Sequence, residues 1–285
     1  PSIIARHTVG LADPLTAADI PKDEKVADQL PQAFIDCIRA YGLCHFKIKI
    51  NGQPDTDLAR LSALAEIITQ NAPKDFAFTL DGNEQFKSIT DFQSFWQSVQ
   101  DDDALHGFFK NLLFIEQPLH RDIALDESLR EQFDQWPERP PVIIDESDAA
   151  LDSYPQALAM GYTGTSSKSC KGAIKSILNA GLNWLRNGKG ERSDYIMTAE
   201  DLTTAGMIAL QGDLALVATL GINHVERNGH HYYRGLNYLP TSEQLRILEA
   251  HPDLYHAFSE GAAVNIDSGD LNITSLHCPG YGFAI

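Results

Sequence analysis

Basic residues are scarce in this chain. Of 285 residues only 22 are Lys or Arg, against 39 Asp or Glu, a formal net charge of −17 with histidine neutral. Such a chain repels phosphate backbones, and no Lys/Arg-rich run offers a local exception, so nucleic acid is not an expected partner. No apolar stretch approaches the roughly 18–20 residues that a membrane span needs. No signal-peptide pattern of basic, apolar and small-residue regions opens the sequence, so a cytoplasmic location is expected. Cysteine is sparse as well. Cys37, Cys44, Cys170 and Cys278 are scattered, with no CxxC pair and no zinc-like spacing, and read as reduced thiols in or near the core. No GxGxxG follows the first apolar run and no GxxxxGK[ST] occurs anywhere, so the usual phosphate loops of open α/β sheets are missing.

What is present is a rhythm. With 43% hydrophobic and 21% charged residues the balance is globular. Short β-branched and aromatic runs alternate with segments of helical period. The expected strands are Ile3–Leu11, Cys44–Ile50, Phe76–Leu80, Leu112–Ile115, Val142–Ile144, Thr163–Ser167, Tyr195–Thr198 and Ile222–Val225. The expected helices are Leu30–Ala40, Asp57–Gln70, Ile89–Val99, Leu125–Phe133, Ser153–Met160, Lys171–Trp184 and Leu202–Leu220. Strict alternation argues for a parallel sheet with right-handed crossovers. Eight units of about 30 residues make a TIM-type (β/α)7–8 barrel over residues 1–245. Residues 246–285 are expected to be a C-terminal extension that packs on the barrel or on a capping domain.

The polar residues fall at the strand ends. Lys47 and Lys49 share one face of the second strand. Asp81, Glu116, Asp145 and Lys168 follow, at successive separations starting from Lys49 of 32, 35, 29 and 23 residues, about one barrel unit each. In a barrel these ends point to the face that carries the active site. Three carboxylates there suit a hard, oxygen-seeking cation, Mg²⁺ rather than zinc. Inward lysines beside them satisfy charge compensation, and a lysine near cations is expected to have its pKa lowered toward the range of a working base.

In that order FKIKI, TLDGNE, FIEQP, IIDES and SSKSCKG resemble the enolase superfamily, in its mandelate racemase and muconate lactonising branch, from about Tyr41 to Asn228. The resemblance implies the C-terminal barrel of that superfamily, with Asp81, Glu116 and Asp145 as Mg²⁺ ligands and Mn²⁺ as a substitute. It implies Lys49 and Lys168 as an acid/base pair on opposite faces of the substrate, with Lys47 assisting electrostatically. The chemistry implied is abstraction of the proton α to the carboxylate of a small substrate, followed by racemisation, epimerisation, dehydration or cycloisomerisation. Homo-oligomerisation is a further implication. The residues ahead of Lys47 suffice for a strand and a helix but not for the family's N-terminal capping domain, which is expected to be absent from this chain. The last strand, Asn223-His224-Val225-Glu226, lacks the Asp-x-Asp of family dipeptide epimerases.

Several assignments have competitors. Glu146 competes with Asp145 as ligand, and Lys171 with Lys168, although Lys171 is expected to open the following helix. Asn83, Glu146, Glu200, His224 and Glu226 are candidates for the substrate or the surrounding shell. Asn83 and Glu84 read equally as a solvated loop, Glu226 and Arg227 as a structural ion pair, and Glu200 and Asp201 as a helix N-cap. Arg121 would bind an anion or pair with Asp122 or Glu127, while His230 and His231 read as loop residues. Two other functions compete: a Schiff-base lysine aldolase using Lys168, which leaves the carboxylates without purpose, and a catalytically silent barrel serving as a binding or scaffold protein.

Overall fold

The computed structural model describes residues 1–189, 194–202, 207–227 and 235–283. In chain order the elements are β1 (Ser2–Val9), α1 (Phe34–Tyr41), β2 (His45–Lys49), α2 (Pro54–Asn71), β3 (Ala77–Asp81), α3 (Ile89–Asp101), α4 (His106–Phe109), β4 (Leu112–Glu116), α5 (Arg121–Ala124), α6 (Ser128–Asp134), β5 (Val142–Ile144) and α7 (Ser153–Met160). There follow β6 (Gly164–Ser167), a 3₁₀ turn (Ser169–Lys171), α8 (Ala173–Lys189), β7 (Ile196–Ala199), α9 (Met207–Thr219), β8 (His224–Arg227), α10 (Thr241–Ala250), β9 (Tyr255–Phe258), β10 (Gly261–Val264), β11 (Asp270–Asn272) and a second 3₁₀ turn (Thr274–Leu276). The strand order is β11-β1-β2-β3-β4-β5-β6-β7-β8, and β1 also pairs with β8, the order of a closed (β/α)8 barrel. No helix among the described residues is long and apolar enough to cross a membrane.

The chain divides into two compact units. The first comprises Pro1–His45, Asn71–Lys74 and Ala199–Ile285. In it β1 runs parallel to β8, with Arg6 opposite Glu226, and antiparallel to β11. Ile3, Ala5, Val9, Val225 and Leu271 are among its buried apolar strand residues. The β9–β10 hairpin is held to α10 by Gln244, whose Oε1 accepts the Ala262 N–H at 2.9 Å.

The second unit comprises Phe46–Gln70 and Asp75–Thr198. Here β3, β4, β5 and β6 are successive parallel neighbours, with Asp81 opposite Glu116 and Glu116 opposite Ile143. Strands buried on both faces read as near-continuous apolar runs, as Phe78, Leu80, Phe114, Ile115, Ile143 and Ile144 do. The short helix α4 explains the long spacer between Asp81 and Glu116: Phe108 stacks on Phe78 with ring centroids 4.1 Å apart. Asp101 and Asp103 beside it are exposed.

Local chemistry decides where elements start and stop. Helix α3 begins at the Ser88 cap, whose hydroxyl accepts the Asp91 N–H at 3.1 Å. The first helix starts at Phe34 rather than Leu30, because Pro31 drives the residue before it out of the helical region. The expected Leu125–Phe133 helix starts only at Ser128, as α6, and the short α5 precedes it; between them the Asp126 carboxylate accepts the Ser128 N–H at 2.9 Å. All four cysteines are free, and burial pushes the Cys37 thiol up to about 12. Cys170 departs from the near-core expectation: it is exposed on the first 3₁₀ turn.

Gly164 lets β6 approach its neighbours. A Cβ there would stand 2.5 Å from the Ile196 carbonyl oxygen and 2.7 Å from Ile143 Cγ2. Gly164→Ala is therefore expected to cost about 1–3 kcal/mol by overpacking, read as a lower urea midpoint with unchanged m-value.

Candidate active site

Strand alternation sends Lys47 into the second unit, where its Nζ lies 2.9 Å from Asp81 Oδ2 and 2.8 Å from Glu116 Oε2. All three side chains are buried. Lys49, two residues on and partly exposed, reaches the same Asp81 oxygen at 2.5 Å. At the ends of β5 and β6, Lys168 Nζ pairs with Asp145 Oδ2 and Lys171 Nζ with Asp145 Oδ1 at 2.8 Å. Lys171 also donates to the Ser166 carbonyl at 3.1 Å, so it faces the carboxylate from the 3₁₀ turn while the helix proper starts at Ala173. The structure thus gathers the lysines and carboxylates into two ammonium–carboxylate groups, Lys47/Lys49/Asp81/Glu116 and Lys168/Lys171/Asp145.

Asn83 ties the first group to Glu146. Its backbone N–H donates to Asp81 Oδ1 at 2.9 Å, and its Nδ2 to Glu146 Oε1 at 3.1 Å. Burial, then Asp145 and Asp81, push the Glu146 carboxyl up, and its Oε2 is buried without a hydrogen bond. Arg121 pairs with Glu84 at 2.6 Å, not with Asp122 or Glu127. Asn83, Glu84 and Gln117 all have left-handed backbone, with φ of 39°, 66° and 34°. Such strain needs surrounding structure to hold it.

Two holding residues escaped the sequence reading. Gln117 is buried and accepts with Oε1 from the Asp145 N–H at 2.8 Å and the Ser147 N–H at 3.2 Å. Its Nε2 donates to the Leu119 carbonyl and to Ser147 Oγ, both at 2.8 Å. The available signal was a polar side chain directly after the strand-end Glu116. Asp148 is the second. It accepts from Thr165 Oγ1 at 3.1 Å and Asn179 Nδ2 at 3.2 Å, and it pairs with buried Lys175 at 3.2 Å.

The charges set the pKa directions. Burial alone would raise Asp145, but Lys171, then Lys168 and Lys47, outweigh it and hold it far below the usual carboxylate value. Asp81 is likewise lowered, burial losing to Lys47 and Lys49. Lys168 runs opposite to the expectation of a lowered lysine. Burial pulls it down, but Asp145 and then Glu116 raise it above its ordinary value, because the contacting carboxylate outweighs the more remote Lys47 ammonium.

Glu200, His224 and Glu226 belong to the first unit. Buried Arg6 pairs with Glu200 Oε1 at 2.6 Å and donates to His224 Nδ1 at 2.6 Å. Burial, then Arg6 and His45, push the His224 imidazole well below its usual value. Glu226 accepts from Thr8 Oγ1 at 2.6 Å and the Asp201 N–H at 3.0 Å, while Arg227 pairs with Asp213 at 2.7 Å and Asp201 at 3.5 Å. Glu226 and Arg227, read from the sequence as a structural ion pair or as substrate contacts, thus bond to separate groups, among them Thr8 on β1 and Asp213 on α9. His230 and His231 lie outside the described residues.

The donor chemistry of Asp81, Glu116 and Asp145 fits a hard divalent cation: three buried carboxylates stand at the ends of consecutive strands. Between Asp81 and Glu116 one cationic position is already formed, filled by the Lys47 ammonium. Among the described residues no three His, Cys, Asp or Glu side chains are grouped closely enough to hold a metal as they stand.

Solved structures share this architecture. An N-succinyl Arg/Lys racemase from Bacillus cereus ATCC 14579 is similar at TM-score 0.59 and 16% identity, covering 96% of this chain and 62% of that one. A mandelate racemase/muconate lactonizing enzyme from Roseiflexus sp. gives 0.52 at 22% identity, covering 79% and 55%. A dipeptide epimerase from Cytophaga hutchinsonii, complexed with Mg and the dipeptide D-Ala-L-Val, gives 0.55 at 14%, covering 80% and 53%. The fold is that of the mandelate racemase/muconate lactonizing barrels. This chain spans about half to three-fifths of the length of those proteins. Its sequence matches no protein-family model and no curated protein.

Removing Lys47 would leave two adjacent buried carboxylates undercompensated. Lys47→Met is expected to cost about 3–5 kcal/mol of stability, seen as a large drop in the denaturation midpoint. Gln117→Ala strips buried N–H groups of their acceptor and should cost about 2–4 kcal/mol, again read from equilibrium unfolding.

Proposed function

We propose that this chain is the barrel of an enolase-superfamily enzyme that abstracts the proton α to the carboxylate of a small substrate. The observation that carries this reading is the pair of ammonium–carboxylate groups built from the ends of β2 through β6. Seven buried or part-buried ionisable side chains gathered at these strand ends serve no packing purpose, since an apolar set would hold the strands as well. Similarity to a racemase and a dipeptide epimerase supports the same direction.

In this reading Asp81, Glu116 and Asp145 would hold Mg²⁺, with Mn²⁺ as a substitute. The ion would supply Lewis-acid stabilisation of the charge that develops on the substrate carboxylate. Lys49 and Lys168 exchange the α-proton at their Nζ atoms, one removing it and the other returning it on the opposite face. Lys47 adds a fixed positive charge beside the developing enolate, where a preorganised charge stabilises most. Gln117 holds the backbone at Asp145 and the Asn83 N–H holds the Asp81 carboxylate, which keeps the acidic groups in register. Reprotonation yields a racemase or epimerase, and loss of a β-group a dehydratase or cycloisomerase.

The test is α-proton exchange in D₂O with pooled acid sugars, N-acyl amino acids and dipeptides. Deuterium incorporation that depends on Mg²⁺ and falls at least about 100-fold in both Lys49→Ala and Lys168→Ala is expected. Asp145→Asn should weaken Mg²⁺ binding, read by calorimetry, together with exchange. Full exchange in either lysine variant removes that lysine from the acid/base role. Mg²⁺ binding without any exchange favours the silent scaffold.

A further inference from the structure

Helix α8 is packed inside out. Its buried residues are polar: Lys175, Ser176, Asn179 and Asn183. They are used, with Ser176 and Ser167 hydroxyls 2.9 Å apart, Lys175 and Asn179 on Asp148, and Asn183 accepting from the Tyr154 hydroxyl. Its exposed residues are apolar: Ile174 is 76% exposed, Ile177 52%, Leu178 58%, Trp184 76% and Leu185 44%. Large apolar side chains aligned on one open face mark an interaction surface rather than ordinary surface scatter.

The pattern on that face is symmetric. Counted from Gly181, side chains stand at three and four positions on either side, Leu178 and Ile177 before it and Trp184 and Leu185 after it, and Ile174 is mirrored by Gly188. Spacings of three, four and seven keep all of them on one stripe. An antiparallel second copy of the same helix, crossing at Gly181, sets Ile177 against Leu185 and Leu178 against Trp184, with Gly188 leaving room opposite Ile174. Self-complementarity of this kind is what an isologous two-fold contact requires. Nothing lies within 4 Å of a Cβ built on Gly181, so the crossing point is open.

Charge and area agree with a second copy as the occupant. Residues 173–188 contain no Asp or Glu, in a chain that carries 39. Two molecules of net charge −17 that meet along this helix bring no carboxylate of the helix itself against the other copy. At the stated exposures the five side chains present roughly 600–700 Å² per copy, so a pair would bury about 1,300 Å², above most lattice contacts and within the range of specific interfaces.

We propose that the exposed face of α8 is a two-fold interface between two copies of this chain, crossing at Gly181. The proposal is independent of the catalytic reading. Sedimentation equilibrium of the 285-residue chain at micromolar concentration should give a dimer. Leu178→Glu should weaken it at least about 30-fold, with the thermal midpoint of the monomer unchanged because the position is exposed. In a Cys170→Ser background, Gly181→Cys should form a reducible cross-linked dimer under mild oxidation, since the axis brings the residue onto its own copy. A monomeric parent chain, a Leu178→Glu variant that remains dimeric, or a Gly181→Cys dimer that does not cross-link would each overturn the proposal. A different partner on this face would show as the first of these outcomes.

Discussion

Burying an ammonium group without a carboxylate is prohibitively costly, and the second unit is arranged around that constraint. Strand alternation forces Lys47 inward, so β3 and β4 must each offer an acid at the same level. The direct opposition of Asp81 and Glu116 in the strand register supplies both. The same requirement recurs two strands on, where Asp145 takes Lys168 on one oxygen and Lys171 on the other. The carboxylates in turn need holding still. The Asn83 N–H and the Ser166 hydroxyl donate to the carboxylates of Asp81 and Asp145, and Gln117 accepts from the Asp145 backbone N–H, all neutral hydrogen bonds that leave the charge balance untouched. Left-handed backbone at Asn83 and Gln117 is what aims those bonds.

The first unit solves the same problem with arginine. Arg6 is fully buried on β1, and its planar fork divides between Glu200 and His224. Keeping His224 neutral is part of the arrangement, because a protonated ring at 2.6 Å from a guanidinium would be repelled. Glu226 accepts from a hydroxyl and a backbone N–H, while Arg227 pairs with Asp213 and Asp201. Neighbours in sequence on a strand point to opposite faces, so an adjacent Glu-Arg pair is the last place to look for an ion pair.

That geometry also sets what the sequence disclosed. Strand positions were legible because buried parallel strands are short apolar runs, and the strand-end acids and lysines were legible because ionisable residues interrupt those runs at a steady interval. Helix ends were less so, since Pro31 and Asp126 act through backbone preferences that an apolar period does not register. The partners were the least legible. Nothing local distinguishes Gln117 from any other polar residue after a strand, and Asp148 matters only because Thr165, Lys175 and Asn179 come to it from distant positions. The upward shift of the Lys168 ammonium is hidden for the same reason. It depends on which charge is in contact, and contact is a property of the fold.

Helix α8 shows how that electrostatic requirement reaches the surface. Its period alone identifies a helix but leaves open which side faces inward, and an apolar stripe would ordinarily be assigned to the core. Here the inward side must instead serve Asp148, a buried carboxylate that needs a cation and amide donors from the element lying next to it. Lys175 and Asn179 meet that need from one face of α8, and Ser176 and Asn183 continue it along the same side. A helix has only two sides to give. Once the polar one is committed to the charges behind it, Ile174, Ile177, Leu178, Trp184 and Leu185 have nowhere to go but outward, and an acid-free, self-complementary stripe in so acidic a chain is the consequence.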